Sequence, residues 1–275
     1  MLQAFDATTG AAMPHSGAAL WLGLRTVRNL RKGLTWAWLD TVCQYRRSKI
    51  GPIWETINVL VMTLGIAVVS SAVIGGTVTN LIGYVGLGII VWTAITSLIS
   101  EGTTAFVRNR DAILSSNLSI DFYVARMSFR IFITFCHHLI LYFIGVAIGL
   151  IGLHWAALLA IPGIVLLFVN GFWTITLLSL VCARYRDVEL IIRNLLQLAF
   201  FVTPVFWDYR HIVSNRRFIV DYNILFYFLE IVRAPLLGEV PTAQTYIVVV
   251  SVTVVGYAMA YLVYRRMRRD LAFYV

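Results

Sequence analysis

Residues 131–183 read IFITFCHHLI LYFIGVAIGL IGLHWAALLA IPGIVLLFVN GFWTITLLSL VCA, 53 consecutive positions without a Lys, Arg, Asp or Glu. A water-soluble core cannot use such a run, because the surface of its domain would have to be apolar as well. The hydrocarbon core of a bilayer is about 30 Å thick and takes roughly 20 such residues per helix. The run is too long for one crossing and suits two, with the break near Gly149-Leu150-Ile151-Gly152-Leu153-His154.

Residues 56–100 and 240–264 are also free of formal charge. The first of these turns at Gly75-Gly76-Thr77-Val78-Thr79-Asn80, where glycines and Asn end a helix. Helices are therefore expected at about 56–75, 82–100, 128–151, 155–182 and 243–264. Another, at about 188–207, carries Glu189 and Arg193 in its first turns and is uncharged from Asn194 to Trp207. The predicted fold is all-α: a polytopic membrane protein with six transmembrane helices, N-terminal amphipathic interfacial helices and short external re-entrant helices. Only 22 basic and 13 acidic residues occur among 275, and 60% of the chain is apolar. That composition excludes soluble-enzyme, nucleic-acid-binding and disulfide-framework readings. Cys43, Cys136 and Cys182 have no metal-ligand spacing and read as apolar filler.

The net charge of +9 reports orientation instead. One side collects 18 of the 22 basic residues, in the N-terminal region, the 101–127 loop with the start of the next helix, the stretch around Arg184, Arg186 and Arg193, and the 265–275 tail. The other side holds Arg210, Arg216, Arg217 and Arg233. The expectation is a multi-pass protein of the cytoplasmic (inner) membrane with both termini cytoplasmic and no cleavable signal peptide.

Four segments lie outside the spans. Residues 1–17 are small, polar and aperiodic, and are expected to be disordered. Residues 18–49 alternate Trp and Leu with Arg and Lys at helical spacing, the pattern of helices lying in the membrane interface. The 101–127 segment is expected to be a cytoplasmic loop. Residues 207–242 are too charged to span and too apolar to float free, so they read as short external helices dipping into the outer leaflet.

The chain has no chemistry of its own to drive transport. Its two lysines, Lys32 and Lys49, do not follow a glycine as a P-loop requires. The span centres lack acidic and basic residues, and His137 and His138 are their only titratable pair. They read as a proton relay or as residues that bond a neighbouring helix or line a wet cavity. Glu55 and Glu101, at the ends of the first two helices, need only an end-capping or snorkelling role. No Ser/His/Asp or HExxH constellation appears, so the chain is not expected to be an enzyme and should carry no cofactor.

Several stretches resemble the membrane subunits of type-2 ABC transporters, in particular those that export polysaccharides. Tyr45-Arg46-Arg47-Ser48-Lys49-Ile50-Gly51-Pro52-Ile53-Trp54 is similar to the family's RYR-x-S-x-LG-x-x-W, and Ala183-Arg184-Tyr185-Arg186-Asp187-Val188 to its R-F/Y-R-D. Thr203-Pro204-Val205-Phe206-Trp207 resembles its S/T-PVFW. Asn223 through Arg233 to Gly238 resembles the external NP…R-x-x-L/I-x-G, with Ile224 where the family has proline. The motifs occur in the family's order over residues 35–270.

The resemblance implies a permease acting as a homodimer with two copies of a separate ATP-binding cassette subunit, which would hold ATP and Mg. The cargo it implies is a cell-envelope glycan such as O-antigen or capsule, linked to a polyprenyl (pyro)phosphate. It places the main coupling helix in the 101–127 loop, where Glu101–Leu118 with Arg108, Asn109, Arg110 and Asp111 is expected to form it, and a second contact at Arg186 and Asp187. Of the external segment, Pro204, Trp207, Asn223 and Arg233 carry the match. Arg46, Arg47 and Lys49, close before Trp54, suit a lipid phosphate at the membrane surface, since guanidinium groups match its oxygens bidentately. They suit ordinary anionic membrane lipids equally well. A type-2 permease for a drug, lipid or peptide, and a membrane-embedded glycosyl- or acyltransferase, are the alternatives.

Overall fold

The computed structural model describes residues 27–46, 50–51, 53–75, 77–115, 120–211 and 216–267. The 1–17 segment, the first residues of the amphipathic stretch, Arg47, Lys49 and the tail beyond Met267 lie outside these described residues. The described residues form helices and no strand: α1 (Val27–Tyr45), α2 (Ile53–Ile74), α3 (Val78–Arg108), α4 (Arg110–Ser115) and α5 (Ile120–Ala147) come first. A 3-10 turn at Trp155–Leu159 runs into α6 (Ala160–Arg184), followed by α7 (Asp187–Val202) and a second 3-10 turn at Tyr209–His211. The last three are α8 (Phe218–Asp221), α9 (Ile224–Leu236) and α10 (Ala243–Met267). The protein is an all-α polytopic membrane protein.

Among the described residues, five helices are long and apolar enough to cross a bilayer: α2, α3, α5, α6 with its leading 3-10 turn, and α10. The expected sixth, α7, has 16 residues and stops at Val202 rather than at Trp207. Pro204 is the physical reason, because it lacks an amide proton and disfavours helical backbone at Thr203 before it. At 1.5 Å per residue α7 rises about 24 Å, and with it the described helices remain roughly consistent with six spans.

The described residues of the 101–127 segment are mostly helical, and Leu118, the expected end of the coupling helix, lies outside them. α3 continues to Arg108, Asn109 interrupts the helix, and α4 is a separate piece of 6 residues. Glu101 does not end α3 because its charge is paired, with Arg130 at 2.7 Å and with Arg108 at 3.2 Å. α5 correspondingly begins at Ile120, eight residues before the charge pattern placed it.

α3 is the hub, buried over most of its length and packed against α2, α5, α6, α7 and α9. Small residues let the backbones approach where no hydrophobic force drives helices together in lipid. Gly88 of α3 lies against the main-chain carbonyl of Val205, and Gly163 of α6 against that of Ile231; a Cβ at either position would overlap the oxygen. Polar side chains tie the rest. Asn170 of α6 donates to Thr253 of α10 at 2.8 Å, and Tyr257 of α10 donates to the Val169 carbonyl at 2.9 Å.

Within the 207–242 segment, α8 is largely exposed and α9 packs on protein. Every residue of α9 from Phe226 to Leu236 is buried, because α3, α6 and α10 surround it. Its apolar residues answer protein rather than the outer leaflet. Ile224 costs α9 no start, since Asn223 caps it, accepting from the amides of Leu225 and Phe226 at 3.0 and 3.3 Å.

Candidate functional site

Side-chain contacts gather the helix ends into two unlike groups. One carries α1, the start of α2, the end of α3 and the start of α5. There α1 lays a face of small residues, Gly33, Ala37 and Thr41, on α5, with Ala125 against Gly33. Trp38, Leu39 and Val42 are left exposed. Asp40 and Arg126 form a bidentate ion pair across the contact, one arm at 2.6 Å, and the guanidinium lies 5.5 Å from the Trp36 ring centre. The last residue of α1, Tyr45, donates to Glu55 of α2. Burial and that carboxylate both push the Tyr45 phenol up from its ordinary pKa, so it stays a donor.

These contacts close a pocket of about 360 Å³ between α1, α3 and α5, lined by Asp40, Arg108, Asn109, Tyr123, Arg126 and Arg130. Three guanidinium groups face two carboxylates, Asp40 and Glu101, so the neighbourhood holds an excess positive charge. A small cavity of about 140 Å³ lies between this pocket and the next, sharing Gln44 and Arg130 with the first and Glu55, Ser97 and Thr134 with the second.

That next cavity measures about 930 Å³ and lies between α2, α3, α5 and α7. Thr93, Thr96, Ser97 and Ser100 line it from α3, and three to four residues of spacing put them on one face. Thr93 and Thr96 donate to main-chain carbonyls one turn back at 2.8 and 2.9 Å, leaving their oxygens to the cavity as acceptors. Asn58, His138 and Gln197 add polar groups from three helices, and Trp92, Phe200 and Phe201 supply aromatic rings. The charged lining residues, Glu55 and Arg193, stand toward the basic end.

At the other end the PVFW stretch is clamped. Arg233 of α9 is fully buried; it bonds Glu230 at 2.7 and 3.2 Å, donates to the Pro204 carbonyl at 2.6 Å, and lies 4.0 Å from the Tyr84 ring centre on α3. Tyr209 donates to the second Glu230 oxygen at 3.2 Å, and burial, then the Glu230 charge, holds its phenol above the ordinary pKa. Tyr84 donates to the Trp207 carbonyl at 3.3 Å, and Asn223 to the Thr203 hydroxyl at 2.9 Å. Pro204, Trp207, Asn223 and Arg233 are thus one assembly, with Glu230 as the member the motif comparison passed over.

The other motif residues are placed as follows. Arg108 ends α3, Asn109 caps it by donating to the Ala105 carbonyl at 2.8 Å, and Arg110 and Asp111 open α4, exposed. Arg186 and Asp187 are exposed where α6 gives way to α7. The two groups lie at one end, where a pocket of about 150 Å³ takes Arg108 from one side and Glu189 and Arg193 from the other. Arg46 is exposed after α1 and Trp54 is exposed in the first turn of α2. Glu55 and Glu101 do not snorkel; each is held by a partner from a different helix. Sequence reasoning missed Asp40, Arg126, Arg130 and the α3 hydroxyl ladder. The ladder's signal was the spacing of 93, 96, 97 and 100 within an uncharged run.

Compared with known proteins, the chain matches the sequence model of one family, described as ABC-2 type transporter, over residues 34–237. No curated protein matches it. The match runs from within α1 to the residue after α9, and so takes in both ends of the molecule and the cavity between them. The chain belongs to the ABC-2 type transporter family and is a membrane permease rather than an enzyme, of the kind that works with an ATP-binding cassette partner.

Proposed function

We propose that the protein is the permease of an exporter that carries a lipid-linked cell-envelope glycan, such as O-antigen or capsule, out across the cytoplasmic (inner) membrane. The observation that carries this reading is the lining of the 930 Å³ cavity. A saccharide offers hydroxyls at its edges and apolar C–H faces, and the wall offers hydroxyl and amide groups beside Trp and Phe rings. An apolar drug or a lipid tail alone would make no use of the Asn58 and Gln197 amides or of the acceptor oxygens of Thr93 and Thr96.

In this reading the basic end is cytoplasmic and both termini lie there, in line with the enrichment of Arg in α1, α4, the α6–α7 junction and the end of α10. The exposed Trp and Leu residues of α1 support its place at the membrane interface. Arg46, Arg47 and Lys49, beside Trp54, receive the phosphate of a polyprenyl carrier. The arginine-lined pocket between α1, α3 and α5 continues the path toward the cavity. Arg108, Asn109, Arg110 and Asp111 with Arg186 and Asp187 form the coupling surface for the ATP-binding subunit, which supplies ATP and Mg. Two permease copies pair, and the exposed apolar face of α7, with Leu190, Ile191, Leu195, Leu198 and Phe201, suits that contact.

The test is reconstitution with the ATP-binding subunit and titration of ATP hydrolysis with a polyprenyl diphosphate oligosaccharide and with the same carrier lacking sugar. The reading expects stronger stimulation by the glycan-bearing lipid, and neither binding nor hydrolysis of ATP by the permease alone. Equal responses to the two lipids would sink it. Lysine in place of both Arg46 and Arg47 tests the phosphate site, since it keeps charge but loses the bidentate fork; full export by that variant would reduce the cluster to a topology signal.

A further inference from the structure

The guanidinium groups around the pocket between α1, α3 and α5 are fixed in place but not saturated. Arg126 directs two N–H groups at Asp40, while Arg108 and Arg130 reach Glu101 at 3.2 and 2.7 Å. A guanidinium carries five N–H donors, so most of each set remains for a further acceptor. The three side chains also stay accessible, at 59% for Arg108, 25% for Arg126 and 27% for Arg130. They line a space of about 360 Å³ in which Asp40 is the one acidic lining residue. Beside it, α1 turns Trp38, Leu39 and Val42 outward, next in sequence to the lining residues Asp40 and Cys43. A basic wall with an apolar flank matches the two halves of a lipid, its phosphate and its chain.

We propose that this pocket binds the phosphate group of a membrane lipid. Phosphate oxygens only accept hydrogen bonds, and the planar guanidinium fork meets two of them at once. An anion held there bridges Arg108 of α3 to Arg126 and Arg130 of α5, and so fastens the helix ends on which α1 rests. An anionic phospholipid and a polyprenyl phosphate share this chemistry, and the test below separates them. The site is distinct from the cluster of Arg46, Arg47 and Lys49. It goes beyond the glycan reading, because a permease for any cargo would hold such a lipid in the same way.

The experiment uses the full chain in maltoside micelles, which carry no phosphate. Alkylation of Cys43, exposed on the pocket wall, by a water-soluble maleimide is timed by mass spectrometry. The probes are phosphatidylglycerol, a polyprenyl phosphate, diacylglycerol as an uncharged control, and inorganic diphosphate. At least one of the two lipid phosphates should slow alkylation, diacylglycerol should not, and the more protective of the two names the source. Arg130→Gln should raise the half-protecting amount of that lipid about tenfold, the worth of one charge-assisted hydrogen bond. Gln44→Glu, at an exposed lining residue, should shift it in the same direction by setting a carboxylate against the arginines, without lowering the melting temperature of the lipid-free chain. The inference fails if neither lipid phosphate protects Cys43, or if both variants keep wild-type protection. It fails as well if inorganic diphosphate protects as strongly as the lipids. None of these results touches the glycan reading, whose test compares lipids with and without sugar on the reconstituted complex.

Discussion

Removing the Arg233 side chain should destabilise the permease more than any single change on its exposed helix faces. The guanidinium is 0% exposed and answers a carboxylate that is itself almost wholly buried, 2.7 Å away. Methionine at this position keeps most of the volume but leaves Glu230 with Tyr209 as its one remaining partner in the assembly, frees the Pro204 carbonyl and removes the cation from Tyr84. Breaking one partner of a buried pair costs about 3–5 kcal/mol, and the carbonyl and ring contacts are part of that figure rather than additions to it. Arg233→Met should therefore lose about 4 kcal/mol, a large share of a stability of about 5–15 kcal/mol. Arg233→Met with Glu230→Leu removes both charges together and should lie within about 2 kcal/mol of wild type. Reversible unfolding of the purified permease in mixed micelles, followed by near-ultraviolet circular dichroism, gives both numbers. A single variant within about 1 kcal/mol of wild type, or a double variant as damaged as the single, would refute the view that this pair clamps the PVFW stretch.

Gly88→Ala should cost about 1–3 kcal/mol in the same unfolding assay, because its methyl meets the Val205 carbonyl, part of rigid main chain; Gly65→Ala, with open space around it, should cost nothing measurable. Asp40→Arg or Arg126→Asp alone should loosen α1 from α5 and speed amide exchange in α1, and the double swap should restore slow exchange. Arg110→Glu should cut export at least about tenfold without changing the amount of inserted permease, measured by transport and by quantitative membrane blotting. Normal export from an Arg108, Arg110 and Asp111 triple alanine variant would remove the coupling assignment. Reporter fusions after Asn80, His154 and Arg217 should read external and those after Asp111 and Arg186 internal; one exchange among them would overturn the orientation.

Charge-free run length made the spans legible, and charge placement misled on their ends. Arg108 and Glu101 looked like loop residues because a lone charge stops a membrane helix, whereas here Glu101 pairs with both Arg108 and Arg130, and the helix runs on. The pairing partner sits on a different helix, and no local pattern announces it. Asp40 and Arg126 are hidden for the same reason, being 86 residues apart. The apolar runs near Phe226 and Val232 were visible, but the same composition suits lipid or protein, so the burial of α9 depended on where α3, α6 and α10 left room. The expected helix at 188–207 ran past Pro204, although the end of α7 at Val202 follows from proline chemistry alone. His138 was noticed in sequence; only packing shows that its neighbour His137 is satisfied and it is not.

Photo-crosslinking tests most directly that cargo passes through the cavity between α2, α3, α5 and α7. A benzophenone side chain is placed at Thr96, on the cavity wall, and in a second protein at Val255, 58% exposed on α10. The complete complex is irradiated during ATP turnover with a radiolabelled polyprenyl diphosphate oligosaccharide. Label on the Thr96 protein, dependent on ATP and well above that on the Val255 protein, is the predicted result. Equal labelling at the two positions, or labelling at Val255 alone, would contradict the account.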